Sequence, residues 1–208
     1  MGKEEKLTVR RFQGEHCVIG IDQSYTRTGI SIAVNGELKK VSSISFKYIK
    51  TKSGKRFKTM EALEKAINSC LKKFDASDIA IVCERIRTFT SSFDIRPDYM
   101  KSTGALIACI VDTGYKYGIN TYSIDTRAWK RAVLGSSKPQ DEPIEGVKNP
   151  QKFASVRYIM SLGFDDSLVK IQGRGGRSHI YRDDDAADSA CIALSPFRTE
   201  PKMFCREY

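Results

Sequence analysis

The sequence predicts an α/β domain built on a five-stranded mixed sheet flanked by helices. Three observations predict it. Three strand-like runs joined by turns open the chain, an amphipathic stretch then leads into an almost wholly apolar strand, and strand and helix patterns alternate from there to the end. At 208 residues the chain suits one full-sized core. We read it as one domain over residues 16–208 behind an N-terminal extension over residues 1–15.

Residues 16–23 (HCVIGIDQ) put Cys17, Ile19 and Ile21 on one side and Val18, Gly20 and Asp22 on the other, the period of a strand that carries a carboxylate near its end. After a polar turn, residues 30–34 (ISIAV) read as a second strand. The hairpin signal Asn35-Gly36 leads to a third near 41–49. Apolar positions at Met60, Leu63, Ile67, Cys70, Leu71 and Phe74 predict an amphipathic helix over 59–74, with Thr59 as N-cap. Residues 79–84 (IAIVCE) form a short apolar strand of the kind buried on both faces, ending on Glu84. A long helix over 98–117, a strand over 119–124 and a short helix from Thr126 to Leu134 follow. The stretch 135–149, with two Pro, two Gly and two Ser, reads as a loop. A helix near 151–162, a Gly- and Arg-rich segment over 173–182 and a helix from about Asp183 to Leu194, stopped by Pro196, complete the chain. This βββαβαβα order is the succession of a ribonuclease H-like fold.

Thirty-five Lys and Arg against 25 Asp and Glu give a formal charge of +10, which favours a polyanionic partner, nucleic acid or an acidic membrane surface. No apolar run approaches the roughly 20 residues of a membrane span. The N-terminus lacks the apolar core of a secretory signal, and no amphipathic anchor stands out, so a cytoplasmic protein with no membrane partner is expected. The six cysteines form no CxxC or other zinc spacing and are expected to be reduced and structural.

Four acids fall where a carboxylate is hard to justify by packing alone. Asp22 and Glu84 end two strands that are neighbours in this fold, and Asp185 and Asp188 share one face of the last helix. Each has an ordinary alternative: Asp22 as a turn cap, Glu84 as the ion-pair partner of Arg85 or Arg87, and residues 183–185 as a helix cap. Four carboxylates converging on one sheet edge call for a compensating cation. An all-oxygen donor set suits Mg²⁺, with Mn²⁺ able to substitute, and two such ions support in-line attack on a phosphodiester. Residues 46–60 hold six Lys or Arg and no acid, which suits a backbone clamp containing Lys55 and Arg56. His179 and Trp129 are expected to be incidental and core, respectively.

The segments GIDQSYTRTGISIAV, IAIVCE and DDDAADSACIAL resemble the three signature regions of the RuvC-type Holliday junction resolvases. The stretches TRAWKRAVLG and NPQKFASVRYIM are similar to that family's short helix, loop and helix, so the resemblance runs from about residue 17 to 195. It implies that Asp22, Glu84, Asp185 and Asp188 are metal-binding catalytic carboxylates, and that Lys130 and Lys152 serve the junction backbone and the active site. It also implies a homodimer joined through the 98–117 helix and acting on branched DNA by paired nicks, with no nucleotide cofactor. An aromatic wedge would fall at Phe89, with Phe93 second, and Arg85 and Arg87 are DNA-binding candidates beside it. The basic hairpin over 47–58 and the segment over 173–182 depart from the family and fit a phage-borne relative. Competing expectations are a less selective nuclease acting on branched DNA, flaps or RNA-containing duplexes, a non-catalytic junction binder, and an actin-like ATPase, for which this chain is too short.

Overall fold

The computed structural model describes residues 16–23, 27–45, 48–51, 54–85, 97–139, 142–147, 149–174, 177–198 and 204–207. The N-terminal extension and the candidates Arg87, Phe89 and Phe93 lie outside the described residues.

The chain begins with β1 (Cys17–Gln23) and β2 (Arg27–Val34), paired antiparallel from Cys17↔Val34 to Gln23↔Thr28. Asn35 and Gly36 make the tight turn after β2, both with positive φ (51° and 82°), as a two-residue hairpin requires. Asn35 Oδ1 accepts from the His16 amide at 2.8 Å. The third strand differs from the sequence expectation. It follows the turn at once as β3 (Glu37–Lys40), breaks, and resumes as β4 (Ser43–Ser45), and both pieces pair with β2. At the break Val41 turns into the core, and Ser42 bonds Ile30 through both its carbonyl and its hydroxyl.

A two-stranded hairpin, β5 (Tyr48–Thr51) with β6 (Gly54–Phe57), stands apart from the main sheet and runs directly into α1 (Lys58–Leu71). Thr59 is therefore inside the helix rather than its cap. It is fully buried and meets Thr28 at 3.4 Å. β7 (Ile79–Glu84) lies parallel to β1, and α2 (Pro97–Lys116) leads to β8 (Asn120–Ile124), parallel to β7. Then come α3 (Thr126–Leu134), a 3-10 turn at Pro150–Lys152, α4 (Phe153–Ser161), the single turn α5 (Asp165–Leu168) and a second hairpin, β9 (Val169–Arg174) with β10 (Arg177–Arg182). Last are α6 (Asp184–Leu194) and an edge strand that the sequence did not reveal, β11 (Phe204–Glu207), antiparallel to β8.

The sheet order β11-β8-β7-β1-β2-β3 contains the five ordered strands expected, β3-β2-β1-β7-β8, with β2 alone running against the other four. This is the ribonuclease H-like arrangement that the sequence predicts, extended by β11 at one edge and by β4 beside β2.

Strand alternation divides the interior into two layers. Ile19, Ile21, Ile30, Ile32, Ile79 and Ile81 face α1 and α2. Val18, Ala33, Val82 and Ile124 face α3, α4 and α6. Each such Val or Ile side chain contributes roughly 1.5–3 kcal/mol against solvent exposure. In the second layer α6 approaches β1 and β2 almost backbone to backbone. A Cβ on Gly20 would overlap the Ser189 carbonyl and the Ala193 amide, and one on Gly29 would overlap the Asp185 carbonyl. Ala186, Ala187, Ala190 and Ala193 keep the helix side of this contact equally thin. The close approach brings the first turns of α6 down to the end of β1.

Candidate active site

Asp22 and Glu84 come together because β1 and β7 are parallel. Their pairing runs to Ile21↔Cys83, and the next residue on each strand is an acid. The Gln23 side chain fastens the two strand ends. Its Nε2 donates to the Glu84 carbonyl, and its Oε1 accepts from the Glu84 amide at 3.2 Å. The Glu84 carboxylate is held on both oxygens: Thr126 Oγ1 donates to Oε1 at 2.6 Å, and Trp129 Nε1 donates to Oε2 at 3.0 Å. Both donors lie on α3, which Asp125 starts by accepting from the Arg127 amide at 2.8 Å and Gly135 ends in the left-handed conformation at φ 75°. The ion pair between Glu84 and Arg85 weighed from the sequence is not formed. Arg85 Nε instead meets Ser123 Oγ at 3.4 Å.

The capping role weighed for residues 183–185 falls to Asp183 alone, whose Oδ1 accepts from the Ala186 amide at 3.1 Å. Asp185 and Asp188 are thereby left to a different partner. The Lys152 ammonium, carried on the turn before α4, pairs with Asp188 Oδ2 and lies 3.5 Å from Asp22 Oδ2 and 4.0 Å from Asp185 Oδ1. The compensating cation is thus a lysine of the chain itself. Among the described residues no group of three His, Cys, Asp or Glu side chains is gathered to hold a metal ion, since three of the acids surround Nζ instead.

Burial and mutual repulsion tune these groups. Burial first, then the negative charges of Asp188, Glu84 and Asp185, push Asp22 well above the usual carboxylate range, against the opposing pull of Lys152. Burial likewise raises Asp185 to about 6, with Asp184, Asp183 and Asp188 adding to it and Lys152 opposing. For Lys152, burial works to lower the ammonium, but the carboxylates of Asp188, Asp22 and Asp185 outweigh it and hold the group well above its ordinary value. Among the described residues one oxygen of this cluster has no partner: Asp188 Oδ1 is buried and accepts no hydrogen bond from them. An orphaned buried carboxylate oxygen is a hard donor of the kind a divalent cation takes, although the acids of this cluster are gathered on Lys152.

The remaining sequence candidates divide. Lys130 is buried, with its ammonium 5.4 Å from the Trp129 ring centroid, so it belongs to the inner wall of α3 rather than to an exposed face. Lys55 and Arg56 lie on β6, opposite Lys50 and Ile49. His179 lies opposite Gln172 in the second hairpin. Trp129 is core, as expected, and in addition serves Glu84, a role that no sequence signal exposed. Gln23 and Thr126 were also missed. Adjacency to Asp22 and the first position of a helix are the only traces they leave in the sequence. The described cysteines Cys17, Cys70, Cys83, Cys109 and Cys191 are free thiols, as expected.

Fold and site together define an α/β domain of ribonuclease H-like topology with a lysine-compensated carboxylate cluster at the ends of β1 and β7. No family model and no curated protein matches the sequence. Among solved structures the chain is similar to Thermus thermophilus RuvC, at 14% identity over 92% of this chain and 99% of that one, with a TM-score of 0.48. It is also similar to T. thermophilus RuvC in complex with Holliday junction substrate, at 12% identity over 86% and 91% of the two chains, with a TM-score of 0.47. At that distance the likeness carries no argument about activity, and the fold assignment rests on strand order and direction. No helix among the described residues is long and apolar enough to cross a membrane.

Proposed function

We propose that this protein is a metal-dependent endonuclease that cuts phosphodiester bonds at four-way and related branched DNA junctions. The observation that carries the reading is the meeting of Asp22, Glu84, Asp185 and Asp188 at one end of the sheet, with Asp188 Oδ1 buried and unpartnered among the described residues. A structural ion-pair cluster gains nothing from an extra buried anion, whereas a site for hard cations requires one.

Asp22, Glu84, Asp185 and Asp188 would hold Mg²⁺, which when bound supplies an activated water and charge neutralisation at the scissile phosphate. The chain's own groups do the rest. Thr126 and Trp129 fix the plane of the Glu84 carboxylate, so it loses no rotational freedom on binding. Gln23 fixes the spacing between the strand ends that carry Asp22 and Glu84. Lys152 keeps its proton at Nζ and brings positive charge to where phosphate oxygens would enter a strongly anionic pocket. The homodimer that delivers paired nicks would form through α2, where Tyr115 is 83% exposed.

The test is cleavage of an immobile four-way junction beside a linear duplex of the same sequence, with Mg²⁺ and with chelator. Mg²⁺-dependent paired nicks in the junction alone are expected, together with loss of cleavage to background in Asp188→Asn. Equal rates on both substrates would reduce the reading to a nuclease without junction selectivity, and wild-type cleavage by Asp188→Asn would refute the site.

A further inference from the structure

Two segments, residues 47–58 around the first hairpin and residues 169–182 of the second, together carry as many positive charges as the net excess of the whole protein. Residues 47–58 contain six Lys or Arg and no acid, and residues 169–182 contain four and no acid. The remainder of the chain then carries 25 basic residues against its 25 acidic ones and is neutral.

The β9–β10 register sorts its residues by face. Val169↔Arg182, Ile171↔Ile180 and Gly173↔Ser178 occupy one face, and Lys170↔Tyr181, Gln172↔His179 and Arg174↔Arg177 the other. Contacts at the root orient the hairpin. On the first face Arg182 pairs with Asp165 of α5, while on the second the Tyr181 ring lies 5.5 Å from the Arg27 guanidinium. The register places Lys170, Arg174 and Arg177 on the same face of the hairpin as Tyr181. Arg27 in turn bonds Asp183 Oδ2 at 3.2 Å, and Ser43 donates to the same oxygen. One buried carboxylate thus ties the root of the second hairpin and the start of α6 to β4, the strand that leads into the first hairpin.

We infer that the β9–β10 hairpin is a second grip on the DNA backbone, with Lys170, Arg174 and Arg177 as its phosphate-binding face, fixed beside the carboxylate site through Asp183. The inference rests on the nuclease reading in so far as it names DNA. It assigns a ligand to a segment that the fold does not need, because the hairpin pairs with no strand of the main sheet. Ten basic residues in these two segments would resolve a conflict: the site must attract a polyanion although its own cluster repels one.

The test measures binding of a labelled immobile four-way junction, in Ca²⁺ to prevent cutting, over a series of KCl concentrations. Arg174→Ala/Arg177→Ala is expected to weaken binding about tenfold at 0.1 M salt and to lower the slope of log K against log salt by about two. Single-turnover cleavage at saturating DNA should stay within about twofold of wild type, since no catalytic group is touched. Arg174→Lys/Arg177→Lys should keep the wild-type slope. A control removes the same charge from the opposite end of the sheet, at the exposed Lys72 and Lys73 beyond α1, by Lys72→Ala/Lys73→Ala, and should change neither quantity. Unchanged affinity in the hairpin variant, or equal loss in the control, overturns the inference while leaving the nuclease reading intact. Failure of the wild-type protein to bind or cut any DNA removes both.

Discussion

Trp129 donates its indole N–H to Glu84 Oε2 at 3.0 Å, so the largest buried side chain among the described residues also supports a carboxylate of the candidate active site. A tryptophan at the centre of a core is held by packing on all sides, and the carboxylate it bonds inherits that rigidity. Core and chemistry share one residue here, and the consequence can be measured. Trp129→Phe keeps an aromatic ring but orphans Glu84 Oε2. Loss of a hydrogen bond to a charged group should cost about 1.5–3 kcal/mol of stability, and disturbing a carboxylate's support should slow cleavage about 10–100-fold. Thermal unfolding and a Mg²⁺ titration of the rate read the two effects. A normal rate with a normal Mg²⁺ midpoint would mean that the bond positions nothing.

Lys152 sets one positive charge among three carboxylates, and its side chain is 20% exposed. Lys152→Met should destabilise the metal-free protein by about 3 kcal/mol, because it leaves buried acids without a cation. The same change should enlarge the stabilisation brought by Mg²⁺, since the ion then meets no competitor among the acids. Melting temperatures with and without Mg²⁺ for the two proteins test this. An identical Mg²⁺ response in both would show that lysine and ion do not compete.

Asp185 gives a pH dependence of defined sign. Its carboxyl titrates near 6 when folded, above the ordinary 3.8. Between those values the folded state binds the extra proton, so the contribution of Asp185 to stability falls as pH rises across the window, and the cost is complete above about pH 6. Asp22, also raised, contributes with the same sign. In metal-free buffer Asp185→Asn should match wild type near pH 3.5 and exceed it at pH 7.5 by up to roughly 3 kcal/mol. Denaturant unfolding at the two pH values decides it, and a difference independent of pH would contradict the assignment.

Gly29→Ala tests the close approach of α6. The added Cβ would overlap the Asp185 carbonyl and sit 2.8 Å from Ser189 Cβ. Backbone must move, at a cost of about 1–3 kcal/mol or more, and the part that moves carries Asp185 and Asp188. Cleavage should fall more steeply than stability. Stability loss with a wild-type rate at low temperature would indicate that the helix absorbs the change without shifting its acids.

Legibility in the sequence varied with what each element needs from its neighbours. Helix α3 has the predicted bounds because its cap Asp125 and its terminal Gly135 are both local signals. The Asn35-Gly36 turn is likewise local. The third strand was misplaced because Glu37–Lys40 has one buried residue, Leu38, and otherwise reads as surface. Strand β11 is a four-residue edge piece, too short to show a period. The Gly- and Arg-rich segment over 173–182 showed no period to assign, yet it holds the end of β9 and all of β10, whose pairing begins at Val169↔Arg182.

Sequence alone singled out the four acids, the two faces of the first strand and the excess of ten positive charges, because residue type and period are local properties of the chain. Tertiary structure decided which groups answer those acids. Thr126 and Trp129 reach Glu84 across 42 and 45 positions, and Lys152 reaches Asp22 across 130. Such pairings follow from which strands lie parallel and how closely α6 can approach Gly20 and Gly29. Those are properties of the packed chain as a whole, since a carboxylate buried without a partner is unstable and its partner comes from whichever element the fold brings within reach.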